Sequence, residues 1–487
     1  MLNSVLIDIL KTFSKDELSG FQDFVESPFH NSKTPVIKLY LYIKKFAPSF
    51  KNEKLLKNNV WKVLFPDKPH NYGVMKNLIH DLTKLAEKFI ALTYASDHET
   101  VQDINILRSL SERNQPKITE KYLEKAAKKI EDSKLHDANY YKNKFDIEKI
   151  RISSLYSKLS DKNKLGSITE FEESGMYLME SFLISILEHY VLINSINKIY
   201  KTGIKTPLLE ELLKFIKGNE SVLNNFFIKV FYYTLMLEKE QNDKYYYKLK
   251  EILTQLDSNY TVQFKYMIWE NIGNYNTFKF HAGDRSAMKE QFELIKLSLS
   301  KKIYSSEDEE YFFMSNFITY FNVAIHLNEL EWAENFIYEY NTKLDPNARE
   351  DIKNFSLASI CMKRRKYSEA NEFISKIRKL HEPNMKCGLK IMMLITYYEL
   401  GWFESALNVV DSFKHLLDHD KNIQEVIKEK VRKFIRAYLI LLDYNNRKDE
   451  DLKLKFNKYI NETTEINSLP WLKRKAREIG IEPDNER

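Results

Sequence analysis

The chain has 487 residues, of which 43% are hydrophobic and 13% aromatic, and this composition excludes an intrinsically disordered protein. It contains only 11 glycines and 11 prolines, which is few for its length and leaves long segments free to form helices. The formal net charge is +6, and the excess is local: residues 1–95 hold 14 lysines and 9 acidic residues, whereas the remainder holds 61 basic and 60 acidic residues.

The first 95 residues are predicted to form a small basic helical domain. Apolar residues recur with a helical period over 2–13. Ser14 and Glu17 have the form of a capping box, in which each side chain satisfies a free backbone amide, so a second helix should begin at Ser14. Thr34-Pro35 should begin a third helix, because proline at the first helical position sacrifices an amide that has no partner. Two further helices are predicted over 53–65 and 73–93.

The last of these helices has a basic face, formed by Lys76, His80, Lys84 and Lys88 at four-residue spacing. The segment 60–90, in which LFP precedes this helix, is similar to the recognition-helix region of winged-helix domains that precede tetratricopeptide arrays in bacterial transcriptional activators. That resemblance implies lysines close to nucleic-acid phosphates. The segment has no strand pattern for a wing and no arginine for base reading, so a solvated face or a protein-docking surface is the competing interpretation.

Residues 96–300 are predicted to continue as an irregular helical array. No strand-like alternation bounded by hairpin turns is present. The predicted helices include 101–113, 117–134, 137–158 and 169–200.

A repeat is visible further along the chain. The segments NELEWAENFI, RKYSEANEFI and GWFESALNVV align so that Ala333, Ala370 and Ala406 share one position, 37 and 36 residues apart. An apolar helix precedes each segment, so every unit should be a helix, a short turn and a second helix. The basic run Arg364-Arg365-Lys366 is then a turn, where charges stay in water.

The small residue at the shared position has a steric reason, since two helices 8 to 10 Å apart, roughly, cannot cross at a bulky side chain. A weaker echo of the unit lies at 281–295, where Met288 precedes Ala333 by 45 residues. We expect the shared alanines to be buried between neighbouring helices.

This pattern resembles the tetratricopeptide repeat, whose paired helices carry an alanine in the second helix and a large apolar residue three positions earlier. The match covers about 312–420 and is degenerate, because the small residue of the first helix is present as Ala358 but replaced by Phe321 and Leu394 in the other units. The resemblance implies an all-α protein in which the helical N-terminal domain is followed by a right-handed superhelical array of antiparallel helix pairs. The repeats are predicted over 301–460, followed by a C-terminal helix and tail over 461–487.

If the resemblance holds, first-helix residues that are not used in packing line a concave groove for a protein or peptide partner. We call these residues the first-helix face, and the competing interpretation is that they are ordinary exposed residues. The face comprises Asn322, His326, Ser359, Lys363, Tyr398 and Glu399.

No catalytic, cofactor-binding or metal-binding residue is predicted. No two glycines are two residues apart, so a GxGxxG phosphate-binding motif is excluded, and neither GxxxxGK nor GxSxG occurs. His415 and His419 have the spacing of metal ligands on a helix, but Leu416 stands where a HExxH motif has its glutamate. We interpret the two histidines as a solvated helix end.

The chain is expected in the cytoplasm. Its two cysteines, Cys361 and Cys387, have no metal-type spacing and are predicted to be buried in a reducing compartment. The N-terminus has no basic leader, and apolar runs such as 434–442 are shorter than the roughly 18 residues of a membrane span. The sequence therefore favours a non-catalytic scaffold for a protein or peptide, without cofactor or membrane, and leaves a DNA-binding regulator with a tetratricopeptide-like partner region as the alternative.

Overall fold

The computed structural model describes residues 4–157, 168–304, 311–463 and 465–481. Within these ranges every regular element is helical, which confirms the predicted all-α class. By its internal contacts the chain divides into two compact units, Met1–Lys229 and Val230–Arg487. The domain boundaries predicted near residues 95, 300 and 460 stay predictions.

The N-terminal part of the first unit folds around one apolar core, which includes Phe21, Tyr40 and Trp61. Its second and third helices begin where the sequence predicted, whereas the predicted helix 53–65 is divided into a 3-10 helix and an α-helix. The Ser14 hydroxyl accepts a hydrogen bond from the Glu17 amide at 3.1 Å, and the Glu17 carboxylate accepts one from the Ser14 amide at 2.7 Å, so the capping box is present. The elements are α1 (Val5–Lys11), α2 (Lys15–Glu26), α3 (Thr34–Lys44), a 3-10 helix (Glu53–Leu55), α4 (Lys57–Leu64) and α5 (Tyr72–Asp97).

The rest of the first unit is also helical, and a second, smaller apolar core joins α6, α7 and α8 through Leu107, Leu123 and Ile147. The elements are α6 (Glu99–Glu112), α7 (Pro116–Glu131), α8 (Ala138–Ser157), α9 (Ile168–Tyr200), α10 (Leu209–Gly218) and α11 (Glu220–Leu223).

Helix α9 is unusually long and apolar. Among the described residues one segment, Phe171–Lys198 within α9, meets the length and composition of a membrane-crossing helix, and 39% of its most apolar 18-residue window is buried. Length and composition alone are weak evidence, because the core helix of a soluble protein meets the same criteria. The expectation that no segment spans a membrane stays a prediction.

The second unit contains the repeats, and α12 lies across the division between the two units. Each helix from α13 to α24 contacts the next helix in the chain, as expected for consecutive elements joined by short turns. The elements are α12 (Phe226–Glu240), α13 (Asp243–Gln255), α14 (Val262–His281), α15 (Ala287–Ser300), α16 (Met314–His326), α17 (Leu330–Tyr340), a 3-10 helix (Asn341–Lys343), α18 (Arg349–Lys363), α19 (Tyr367–Lys376), α20 (Pro383–Glu399), α21 (Phe403–His419), α22 (Glu425–Arg447), α23 (Glu450–Glu462) and α24 (Leu469–Glu478).

The turns inside the repeats share one backbone geometry. Asn328, Arg365 and Gly401 occupy the left-handed region, with φ of 62°, 58° and 75°, and each lies five residues before a shared alanine. In each turn the amide that follows bonds to a carbonyl five residues earlier, at 2.9, 2.9 and 2.8 Å. This is the Schellman motif, which ends a helix by satisfying its last carbonyls. The basic run is therefore a turn, as predicted.

The upstream echo has the same turn. Gly283, with φ of 100°, lies 45 residues before Asn328, and the Asp284 amide bonds to the Lys279 carbonyl at 2.9 Å. Helix α15 begins four residues after the left-handed glycine, whereas α17, α19 and α21 begin two residues after theirs. The fully buried small residue in this unit is Ala287, one position before the predicted equivalent, Met288.

The three shared alanines are buried, as predicted: Ala333, Ala370 and Ala406 are each 0% exposed. The first helices of successive units also contact one another, α16 with α18, α18 with α20 and α20 with α22. Helices α18 and α20 approach closely at Gly388, where an added Cβ would lie 3.2 Å from Cζ of Phe355. The first helices therefore form one continuous layer of neighbours.

Candidate functional site

The predicted first-helix face lies on α16, α18 and α20. Asn322, His326 and Lys363 are exposed. Ser359 is half-buried, and its hydroxyl donates to the Phe355 carbonyl at 2.9 Å. The His326 ring also makes an edge contact with Phe280, with centroids 5.3 Å apart. At this end of the face, three polar side chains are open to solvent.

The other end of the face is covered by the C-terminal helix. The Glu399 carboxylate accepts hydrogen bonds from Trp471 Nε1 at 2.7 Å, Arg474 Nη2 at 2.6 Å and Lys475 Nζ at 2.7 Å. We call these four residues the Glu399 network. The side chain of Glu399 is 12% exposed and that of Lys475 is 8% exposed, so the ion pair is largely desolvated.

The charges of the Glu399 network determine the ionisation of its carboxylate. Burial alone would raise the pKa of Glu399, but hydrogen bonds from Lys475 and Trp471, together with the positive charges of Lys475 and Arg474, outweigh burial and lower that pKa overall. The carboxylate therefore stays ionised and holds α24 in place across the physiological range.

Aromatic contacts also hold α24 against α20 and α22. The Trp471 ring lies edge-on to Tyr398, with centroids 5.4 Å apart, and stacks on Tyr438 at 6.0 Å. The Tyr438 hydroxyl donates to the Leu394 carbonyl at 2.8 Å. Burial raises the pKa of the Tyr398 phenol. Tyr398 and Glu399 thus contribute to an intramolecular contact, and neither is open to solvent as Asn322 is.

A cavity of about 540 Å³ lies beside this contact and is lined by residues from α18, α20 and α24, among them Ser359 and Lys363 of the predicted face. We call it the α24 cavity. Its lining also includes Arg365, Arg474 and Arg477. Arg474 and Arg477 belong to α24, which was predicted only as a C-terminal helix without a role in the face.

The position of α24 was not predicted, because the contact between Arg474 and Glu399 joins residues that are far apart in the sequence. Arg474 and Glu399 are separated by 75 residues, and no repeat position links them. The available signal was the basic, strongly amphipathic composition of 469–478, in which Trp471, Leu472 and Ala476 recur with helical spacing. That pattern predicts a packed helix but gives no information about its position.

The basic face of α5 is present in the first unit. Lys76, His80, Lys84 and Lys88 are all exposed on this helix. Acidic side chains lie among them, since Lys84 pairs with Glu87 at 2.7 Å. No strand that could form a wing occurs in the part of the first unit that the structure describes.

The histidines and cysteines considered as candidate metal or thiol sites lie in the described residues. No cluster of three or more histidine, cysteine, aspartate or glutamate side chains suits a metal ion within the described ranges. The rings of His415 and His419 stack at 4.0 Å, and His419 Nδ1 lies 2.9 Å from the His415 carbonyl oxygen. Cys361 and Cys387 are buried and free, and burial raises the pKa of each thiol, which lowers its reactivity.

Comparisons of the chain with protein-family models, with curated proteins and with solved structures found no match. The resemblance to the tetratricopeptide repeat therefore depends on the sequence register and on the turns described above.

Proposed function

We propose that the chain is a non-catalytic helical-repeat scaffold that binds another protein or peptide along the first-helix face. In this proposal the second unit is a right-handed superhelical array of antiparallel helix pairs, similar to tetratricopeptide repeats. The observation that carries it is the recurrence of one turn at Gly283, Asn328, Arg365 and Gly401, because a repeated turn places successive helix pairs in repeated orientations. The protein would act in the cytoplasm without a cofactor.

The exposed end of the face is the better candidate for partner contact. Asn322, His326 and Lys363 are open to solvent on first helices that contact one another. Tyr398 and Glu399 bind α24 instead. We therefore restrict the proposed partner surface to Asn322, His326, Ser359 and Lys363.

The test uses tagged full-length protein to capture partners from the cells that produce it, followed by quantitative mass spectrometry. The test variant combines Asn322→Arg and Lys363→Glu, two changes at exposed positions of the face. The matched control combines Asn335→Arg on α17 and Lys379→Glu after α19, which are exposed and lie outside the face. Circular dichroism of both variants verifies that helix content is unchanged.

We expect specific partners to be recovered with the control variant and depleted about tenfold or more with the test variant, as for the loss of one or two well-placed polar contacts. Recovery of every partner with both variants would place binding elsewhere on the chain. Recovery of no specific partner at all would contradict the scaffold proposal.

The alternative is a DNA-binding regulator that uses α5, and the observation in its favour is that Lys76, His80, Lys84 and Lys88 are all exposed. A gel-shift assay with duplex DNA at about 50 mM salt separates the two functions, because phosphate contacts are strongest at low salt. The scaffold proposal predicts no retention of the duplex. Retention that disappears when Lys76, Lys84 and Lys88 become alanine, but survives the same change at Lys38, Lys45 and Lys51, would favour the alternative.

A further inference from the structure

The floor of the α24 cavity is apolar. A volume of about 540 Å³ lies within the range of small-molecule sites, which are mostly apolar clefts with a few convergent polar groups. Trp471 lines the cavity, is largely buried and contacts Tyr398 edge-on. The apolar lining consists of Ile325, Met362, Ile391, Met392, Ile395 and Trp471.

The polar lining of the α24 cavity has one sign of charge. Lys363 and Arg365 come from the end of α18 and the turn after it, and Arg474 and Arg477 come from α24. None of the described residues that line the cavity is acidic. Because Arg474 is paired with Glu399 at 2.6 Å, the other three cations supply the net positive potential at the cavity.

Three of the four cations at the cavity are not neutralised by a described residue, whereas Arg474 and the neighbouring cations are. Arg364 pairs with Glu334 at 2.7 Å and Lys366 pairs with Glu369 at 2.9 Å. Lys363, Arg365 and Arg477 are exposed and form no ion pair within the described ranges. The chain outside residues 1–95 has almost equal numbers of acidic and basic residues, so the excess at this cavity is local.

Arg474 is held in place and still has a free donor. Its Nη2 donates to the Tyr367 hydroxyl at 2.7 Å as well as to Glu399. Its Nε is buried without a hydrogen-bond partner, and the nearest Glu478 carboxylate oxygen, at 3.6 Å, is beyond hydrogen-bonding distance. A buried guanidinium donor without a hydrogen-bond acceptor is unfavourable, and the ion pair with Glu478 compensates it in part.

We propose that the α24 cavity binds a small amphiphilic anion: an acyl or aromatic group that ends in a carboxylate or a phosphate. The apolar part contacts the methionine, isoleucine and tryptophan side chains, and the anionic head lies among the four cations. Because α24 supplies two of these cations and one wall, the site exists only while α24 is docked. This proposal is independent of the scaffold function, although Ser359 and Lys363 belong to both surfaces.

The ligand class is tested by isothermal titration calorimetry of the full-length protein with four probes of equal chain length. These are decanoate, decyl phosphate, decan-1-ol and decylamine. We expect at least one anion to bind at least about tenfold more tightly than the alcohol and the amine, as for one charge-assisted hydrogen bond. The preferred anion identifies the head group. Equal binding of the alcohol, or no binding of either anion, would overturn the proposal.

The site is tested with a pair of turn variants. Arg365→Gly removes one cation of the cavity and suits the left-handed backbone at that position, where φ is 58°. Asn328→Gly makes the same change in the equivalent turn of the preceding unit, where φ is 62° and the side chain does not line the cavity. We expect the anion to bind Arg365→Gly at least about tenfold more weakly than the unaltered protein. It should bind Asn328→Gly as tightly as the unaltered protein.

A second pair tests α24 by the same titration. Arg477→Glu reverses an exposed charge at the cavity, and Arg285→Glu reverses an exposed charge before α15. Loss of affinity in the first variant alone is expected. Unchanged affinity in Arg365→Gly and Arg477→Glu would contradict the proposal, as would a short acidic peptide or an oligonucleotide that bound through these residues while the amphiphiles did not.

Discussion

The two ends of the first-helix face differ, although His326 and Glu399 each lie seven residues before a shared alanine, Ala333 and Ala406. At the upstream end Asn322 and His326 are exposed, and at the downstream end Tyr398 and Glu399 are covered by α24. The repeat position of a residue is therefore not enough to make it available to a partner. Contact with α24 determines which of these positions stay open.

The cover at the downstream end has a physical reason. A helical repeat buries its apolar surface against its neighbours, so the last repeat needs a terminal element to cover what remains. Here α24 inserts Trp471 and Leu472 into the core shared with Phe434 and Tyr438. The Glu399 network adds a desolvated ion pair to this apolar contact, and that pair is favourable only while both partners are present.

The largest expected effect on stability is that of Glu399→Ala, which removes the carboxylate at the covered end of the face. We expect a loss of about 3 kcal/mol, because Arg474 and Lys475 would lose their buried carboxylate and Lys475 would keep only the half-exposed Glu478, at 2.6 Å. Urea denaturation measures the change in stability, and amide hydrogen exchange over 469–478 shows whether α24 has detached.

The matched control for this change is Asn322→Ala at the exposed end, where we expect a change within about 0.5 kcal/mol. Equal effects of the two substitutions would mean that the covered end of the face contributes no more to the free energy of unfolding than the exposed end.

Overpacking the repeat interface should have an intermediate effect. Ala370 is 0% exposed, so Ala370→Leu forces extra methyl groups into a filled contact and should lower stability by about 1 to 3 kcal/mol. Thermal or urea unfolding measures it. Ala282→Leu, at an exposed position, should be nearly neutral, and a large loss there would show that the assay does not report the helix contact.

Acid should weaken the covered end in a defined direction. The folded-state pKa of Glu399 is lowered from its ordinary value of 4.5, so its contribution is complete above that value and is lost as pH falls through the folded-state pKa. The charged groups that face it are Arg474 and Lys475, with Glu478 alongside. The urea midpoint of the unaltered protein should therefore exceed that of Glu399→Gln at neutral pH, and the gap should close in acid. A gap independent of pH would contradict this account.

The smallest expected effect is a gain. Arg365 has a left-handed backbone that L residues adopt with some strain, so Arg365→Gly should leave stability unchanged or raise it by up to about 1 kcal/mol. The same measurement on Gly401→Ala, where φ is 75°, should show a loss of similar size. A loss in Arg365→Gly would mean that its side chain stabilises the turn.

Local signals predicted most of the helical organisation. The capping box at Ser14, the start at Thr34-Pro35 and the buried Ala333, Ala370 and Ala406 were all identified from spacing. Such features depend on residues within a few positions or on a regular period, and both are visible in one sequence.

Contacts between distant segments could not be predicted in this way. The Glu399 network joins α20 to a helix more than 70 residues later, and its members have no periodic relation. The register predicted for the upstream echo was also wrong by one position, because the buried small residue there is Ala287 and not Met288.

The contacts of α24 also limit where additional helices can be inserted in the chain. Helix α24 follows α23 in the chain but contacts α20 and α22. An additional helix pair inserted after α23 would therefore separate Arg474 and Lys475 from Glu399. Duplication of a unit between α15 and α20 would leave that closure intact. Insertions between α15 and α20 should therefore be tolerated, whereas insertions between α23 and α24 should not.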